Sequence, residues 1–173
     1  MSKEAPPIMR KLLIGQLKDL RYEAVTSKEG NSIHSVPFTP GRQLLFSLVW
    51  LQGRVLGTAS EASILRFLLD DATGSVLVTI QPDTQPPTPG SYVSVVGEVE
   101  RVSGTTPGPC GDLTPSIVSW QISARSVMSL SQADKCFCKD DDATGQRTPS
   151  SVYAELAWPL EVMDMSQNFW APT

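Results

Sequence analysis

Few side chains in this 173-residue chain could do chemistry, and their spacing works against it. His34 is the single histidine, so beyond that one imidazole no Ser/His/Asp or Cys/His constellation can be assembled. It falls in a loop-like stretch, which predicts a solvated surface residue. Asp70 and Asp71 could pair as an acid/base or metal site. They lead into Ala72-Thr73-Gly74, however, where Asp caps a tight turn and Gly accepts a positive φ, so turn chemistry is the expectation. Cys136 and Cys138 are separated by a single residue, whereas zinc sites use gaps of about two to four and need four ligands. No phosphate-cradling glycine loop is expected either: Gly53 and Gly57 belong to a strand pattern, and Gly104, Gly108 and Gly111 to a proline-rich loop. These residues predict a protein that is not an enzyme and uses no metal or cofactor. Binding chemistry is better represented. Trp50, Phe67 and Tyr92, with Arg54 and Arg66, could stack the bases of a single strand, although Phe67 alternates with Leu65 and Leu69 as a core residue would.

The scaffold that must position such groups is β. Between Leu48 and Gly57, Val49, Leu51 and Val55 fall on one face and Trp50, Gln52 and Arg54 on the other, the period of a half-buried strand. Gly53 interrupts the inward row, and a central glycine lets a long strand bend to serve both halves of a small closed barrel. The segment therefore predicts the first strand of a Greek-key β-barrel. Strands over 64–69 and 75–80 form a hairpin about the aspartate turn. Residues 82–89 are too rich in proline for a helix. The fourth strand runs over 92–102, with Val93, Val95 and Val99 on one face, and the fifth over 118–130, with Trp120 packing at the barrel edge. Ahead of the barrel, Met9, Leu13, Leu17 and Leu20 share a stripe that predicts a helix over 8–24, and Pro37 and Pro40 predict a loop over 26–43. The expected organisation is an N-terminal helix and linker (1–43), a barrel (44–131), an acidic flexible loop (132–148) and a C-terminal helix and tail (149–173).

Composition narrows the partners. Apolar content of 40% is enough for one core. Residues 42–131 hold five arginines, no lysine and more carboxylates than cations, without a basic cluster, which argues against tight autonomous DNA binding. The apolar run over 44–51 is far short of the roughly 20 residues a membrane helix needs. Lys3, Glu4, Arg10 and Lys11 break up the N-terminus, and three cysteines make no disulfide framework, so an intracellular protein is expected.

Thr148 and Pro149 signal a helix start. From there Val152, Leu156, Leu160 and Met163 form one apolar stripe, and Trp158, Val162, Met165 and Phe169 form another on the opposite side, with Glu155, Glu161 and Asp164 between. Two stripes need two surfaces: one can close on the chain's own barrel, and the other then requires a second molecule. Pro159 predicts a kink or a split near Trp158.

Three segments in order, Val49-Trp50-Leu51-Gln52-Gly53-Arg54-Val55, Pro89-Gly90-Ser91-Tyr92-Val93 and Trp158-Pro159-Leu160-Glu161-Val162, resemble the RecQ-mediated genome instability protein 2 family, as does Lys11-Leu12-Leu13-Ile14-Gly15-Gln16-Leu17 ahead of them. The resemblance spans most of residues 8–166. It departs from the family in longer 103–115 and 132–148 segments and in Pro159. It implies a five-stranded OB-fold Greek-key barrel with an N-terminal helix and a C-terminal helix, serving as a non-catalytic adaptor in the nucleus. The implied partner is RecQ-mediated genome instability protein 1, a larger OB-fold protein, in a heterodimer joined to a Bloom-type RecQ helicase and a type IA topoisomerase that dissolve double Holliday junctions. A peptide of the Fanconi anaemia M translocase is implied near Trp158, and Lys11 matches the family's N-terminal lysine. The expected partner-binding residues are thus Trp158, Val162, Met165, Leu156, Leu160 and Lys11. The competing expectation is a single-stranded-DNA-binding OB-fold subunit of a replication protein A-like complex.

Overall fold

The computed structural model describes residues 8–25, 32–61, 64–102, 114–130 and 150–168. The elements are β1 (Met9–Lys11), a 3-10 helix (Ile14–Asp19), β2 (Arg21–Val25), β3 (Ser32–Thr39), β4 (Arg42–Phe46), β5 (Leu48–Glu61), β6 (Ile64–Asp70), β7 (Ser75–Ile80), β8 (Tyr92–Arg101), β9 (Ile117–Ser129) and α1 (Ser150–Asn168). None of the described helices is long and apolar enough to cross a membrane.

Five strands close a barrel in the order β5-β6-β7-β9-β8, with β8 returning to β5. Closure depends on β5 changing partner part-way along. Val49 to Arg54 pair with β8, and from Arg54 onward the strand pairs with β6, with a bulge between Val55 and Gly57. Gly53 sits at this switch for a steric reason. A Cβ there would stand 2.5 Å from the carbonyl oxygen of Asp70 and 2.9 Å from its carbonyl carbon, so the crossing strands could not approach. Gly53→Ala is expected to cost about 3 kcal/mol, the upper range for forcing atoms into a packed interior. A urea midpoint equal to that of the wild type would contradict this account. Inward residues follow the alternation: Val49, Leu51 and Val55 on β5, Phe67 and Leu69 on β6, and Val76, Val78 and Ile80 on β7 share one buried cluster. Residues 82–89 form no helix.

The aspartates make turn bonds. Oδ1 of Asp70 accepts from the Ala72 amide at 2.9 Å, and Oδ1 of Asp71 accepts from the Thr73 amide at 3.0 Å. The positive φ falls on Ala72 (68°), however, not on Gly74. Gly74 is instead confined by space, since its Cβ would lie 3.0 Å from Ser116 Oγ, which accepts from the Ser75 amide.

The region before the barrel departs from expectation. Residues 8–24 do not form a helix: β1 lies parallel to β5, and the 3-10 turn buries Ile14 and Leu17 in the barrel core. Long-range bonds override the helical spacing, because Ile14 donates to Asp71 Oδ2 at 2.7 Å and Gly15 to Thr73 Oγ1 at 2.8 Å. Residues 32–39 and 42–46 are likewise strands, joined with β2 in a second antiparallel sheet of order β2-β3-β4. Pro37 is tolerated because β2 pairs with β3 only as far as Ser35, so the proline has a neighbour on one side alone.

His34 is therefore not a surface residue. It is 2% exposed and stands opposite Tyr22 on β2 and Phe46 on β4. Burial lowers its pKa below the ordinary 6.5, and the backbone of Val99, close by but outside hydrogen-bond geometry, partly offsets this. The neutral ring is favoured in the fold, while the unfolded chain protonates near 6.5. Stability is thus intact above that pH and falls as the pH drops through it toward the lower folded value. Between pH 7.5 and 5 the wild type is expected to lose more stability than His34→Phe, as compared by urea midpoints; parallel losses would remove His34 as the cause.

Candidate partner-binding face

The residues that hold α1 come from two segments, β1 and β5. Lys11 on β1 lies beside Trp50 on β5 in the strand register. Its ammonium is 4.3 Å from the Trp50 ring centroid and 5.5 Å from that of Trp158, and it donates to Glu161 Oε2 at 2.7 Å. The Trp50 and Trp158 rings are 6.2 Å apart and tilted by 45°. On the other flank Arg54 donates to Glu155 Oε2 at 2.6 Å and to the Gly90 carbonyl at 2.9 Å. Glu155, Trp158 and Val162 recur at helical spacing and so face the barrel together. Trp158 (1% exposed) and Val162 (3% exposed) are buried within the protomer. Among the described residues the Trp158 indole N–H finds no hydrogen-bond partner. The ion pairs are solvent-accessible and worth at most about 1 kcal/mol each, so the buried rings carry the docking.

The opposite stripe is open. Tyr153, Leu156, Leu160 and Met163 are 77%, 71%, 68% and 55% exposed, one above another along α1. Of the expected partner-binding residues, the structure thus divides Trp158, Val162 and Lys11, which dock the helix, from Leu156 and Leu160, which remain exposed. The side chains of Met165 and Val152 lie outside the described residues, as do Phe169 and the whole of 132–148 with Cys136 and Cys138. α1 runs unbroken through Pro159 rather than splitting there, and the proline, which is exposed, removes the backbone bond to the Glu155 carbonyl. Tyr153 was not anticipated, although its place three residues before Leu156 puts it on the same stripe. Trp50 and Arg54, which the competing single-strand reading would use, serve as the seat of α1.

That seat dismantles the single-strand surface. Phe67 is wholly in the core and Tyr92 is buried. Burial, then the nearby carboxylates of Glu155 and Asp71, push the Tyr92 phenol above its ordinary value of 10 against the opposing pull of Arg54, so it stays protonated. Trp50 faces Trp158 and Lys11, and its indole N–H is spent on Ser94 Oγ at 2.7 Å. Among the described residues no group of three or more His, Cys, Asp or Glu is placed to hold a metal ion.

A five-stranded barrel closed in this order, with its helix packed outside, defines an OB-fold subunit. The match to solved structures agrees with the fold: the chain is similar to one chain of a replication protein A heterotrimer that was solved bound to single-stranded DNA (TM-score 0.53, 13% identity, 92% of this chain and 96% of that one). It is also similar to a chain of the S. pombe Stn1–Ten1 complex (TM-score 0.48, 12% identity, 92% and 97% covered). The family model of RecQ-mediated genome instability protein 2 matches residues 7–134, and the chain belongs to that family. The matched span includes the barrel and ends before α1. Comparison with curated protein sequences gives no match.

Proposed function

We propose that this OB-fold subunit of a genome-maintenance family is a non-catalytic adaptor whose α1 packs against a larger OB-fold protein of the RecQ-mediated genome instability protein 1 type. The pair would stabilise a Bloom-type RecQ helicase and type IA topoisomerase in dissolving double Holliday junctions, in the nucleus. The observation that carries the reading is the apolar stripe of Tyr153, Leu156, Leu160 and Met163, exposed on a helix whose other side is already anchored. Burying each such side chain is worth about 1.5–3 kcal/mol, so a partner that covers the stripe gains substantial free energy. The helicase, the topoisomerase and a Fanconi anaemia M peptide near Lys11 and Trp158 enter through family membership. The test is co-expression with the larger OB-fold protein, followed by size exclusion with light scattering. A one-to-one complex is expected; two species that elute separately when mixed would refute the adaptor role.

A further inference from the structure

A cavity of about 500 Å³ opens between the second sheet and the barrel, away from every residue that holds α1. Its floor is the His34 imidazole, backed by the stacked Phe46 ring at 5.9 Å. Tyr22 and Trp120 stand nearly perpendicular to that floor, at 76° and 87° with centroids 5.7 and 5.6 Å away. Neither His34 nitrogen has a hydrogen-bond partner among the described residues, although the ring is almost fully buried. A buried polar group left in this state costs free energy that a suitably placed ligand recovers. Its lining also includes Glu98, Glu100 and Arg101, and Arg125 beside the cavity pairs with Glu98, which leaves Glu100 as the carboxylate without an arginine on it among the described residues. Glu98 Oε1 accepts from Arg125, and Glu100 Oε2 from the Gln121 amide at 3.1 Å; the second oxygen of each carries no hydrogen bond among the described residues.

We infer that this cavity receives the guanidinium of an arginine side chain presented by a basic peptide segment of another protein. The walls include the aromatic rings of Tyr22 and Trp120, whose π-systems can attract a cation, the floor offers an imidazole lone pair to an N–H donor, and Glu98 and Glu100 offer carboxylate oxygens. An uncharged imidazole, as its burial requires, does not repel the guest. A planar guanidinium with five donors suits flat walls and several acceptors better than a compact ammonium does. A nucleic-acid strand fits less well, because its phosphates would meet the Glu100 carboxylate, which among the described residues is bonded only to the neutral Gln121 amide. The cavity is large enough for the whole side chain.

The experiment is an NMR titration of the isotopically labelled full chain with acetyl-Gly-Arg-Gly-amide, the same peptide with lysine or uncharged citrulline for arginine, and a thymidine oligonucleotide. The arginine peptide is expected to shift the His34 ring and Trp120 indole signals saturably, leaving those of Trp50 and Trp158 in place. Citrulline should bind about tenfold more weakly, the range a desolvated cation–π contact supports. Glu100→Gln, an exposed change that does not disturb folding, and Tyr22→Leu should each weaken the arginine peptide. No saturable shift, equal affinity for citrulline, or shifts of the same signals by the oligonucleotide alone would overturn the assignment. The α1 stripe is not involved, so either reading can fail alone.

Discussion

Trp158→Ala is expected to release α1 from the barrel while leaving the barrel folded. Truncating a buried tryptophan costs about 3–5 kcal/mol, more than the flanking pairs Lys11–Glu161 and Arg54–Glu155 can restore from solvent-accessible positions. Trp158 is nearly fully buried but stands outside the barrel's own apolar cluster, so its loss uncouples the helix without opening the core. Lys11 then faces one ring rather than two, and the remaining attraction to Trp50 holds no helix in place. Amide hydrogen exchange reads this directly: residues 153–164 should lose protection, whereas amides of β6 and β7 keep theirs. Leu156→Ala serves as the control, since an exposed leucine contributes little to the isolated subunit. Retained protection in α1 of the Trp158 variant would show that some other contact docks the helix.

The barrel was legible in the sequence at 48–57 and 92–102 because those strands alternate buried and less buried residues and therefore carry a period of two. Residues 64–69 and 75–80 were legible from the aspartate turn between two apolar runs instead, since β7 is buried on both faces and does not alternate, and Gly53 marked the place where β5 changes partners. The region ahead of it was not legible. Met9, Leu13, Leu17 and Leu20 have helical spacing, but the hydrogen bonds that decide the outcome come from Asp71 and Thr73, more than fifty residues away. In 26–43 the prolines masked a strand whose inward residues have distant partners, His34 on both β2 and β4 and Val36 on β4. His34 was misplaced for the same reason, since its burial exists only once three strands are paired.

The C-terminal helix shows a third kind of limit. Two apolar stripes announce two contacts, but hydropathy alone does not say which one faces home. The stripe that faces home is the one whose Trp158 buries against Trp50, and Lys11 and Arg54 pair with Glu161 and Glu155 on its flanks. Val162 is accordingly sequestered in the protomer. Sequestering that stripe leaves Leu156 and Leu160 in solvent on the other side, the face the proposed partner would cover.

The double variant Leu156→Asp/Leu160→Asp should therefore abolish pairing with the proposed larger OB-fold partner while leaving this subunit folded. In the free protomer both side chains already contact water, and exposed substitutions of this kind change stability by about 0.5 kcal/mol or less. In a complex the loss is twofold: the apolar burial of two leucines disappears, and two carboxylates are left to be desolvated in an apolar seam. Even the apolar part, about 1.5–3 kcal/mol per leucine, weakens association a hundredfold or more. Calorimetric titration measures the affinity, and urea unfolding of the free variant measures the stability. The two readouts separate this variant from Trp158→Ala, which should lose α1 protection before any partner is added. Undiminished affinity in the double aspartate variant would place the partner elsewhere on the barrel and leave the exposed stripe without a role in assembly.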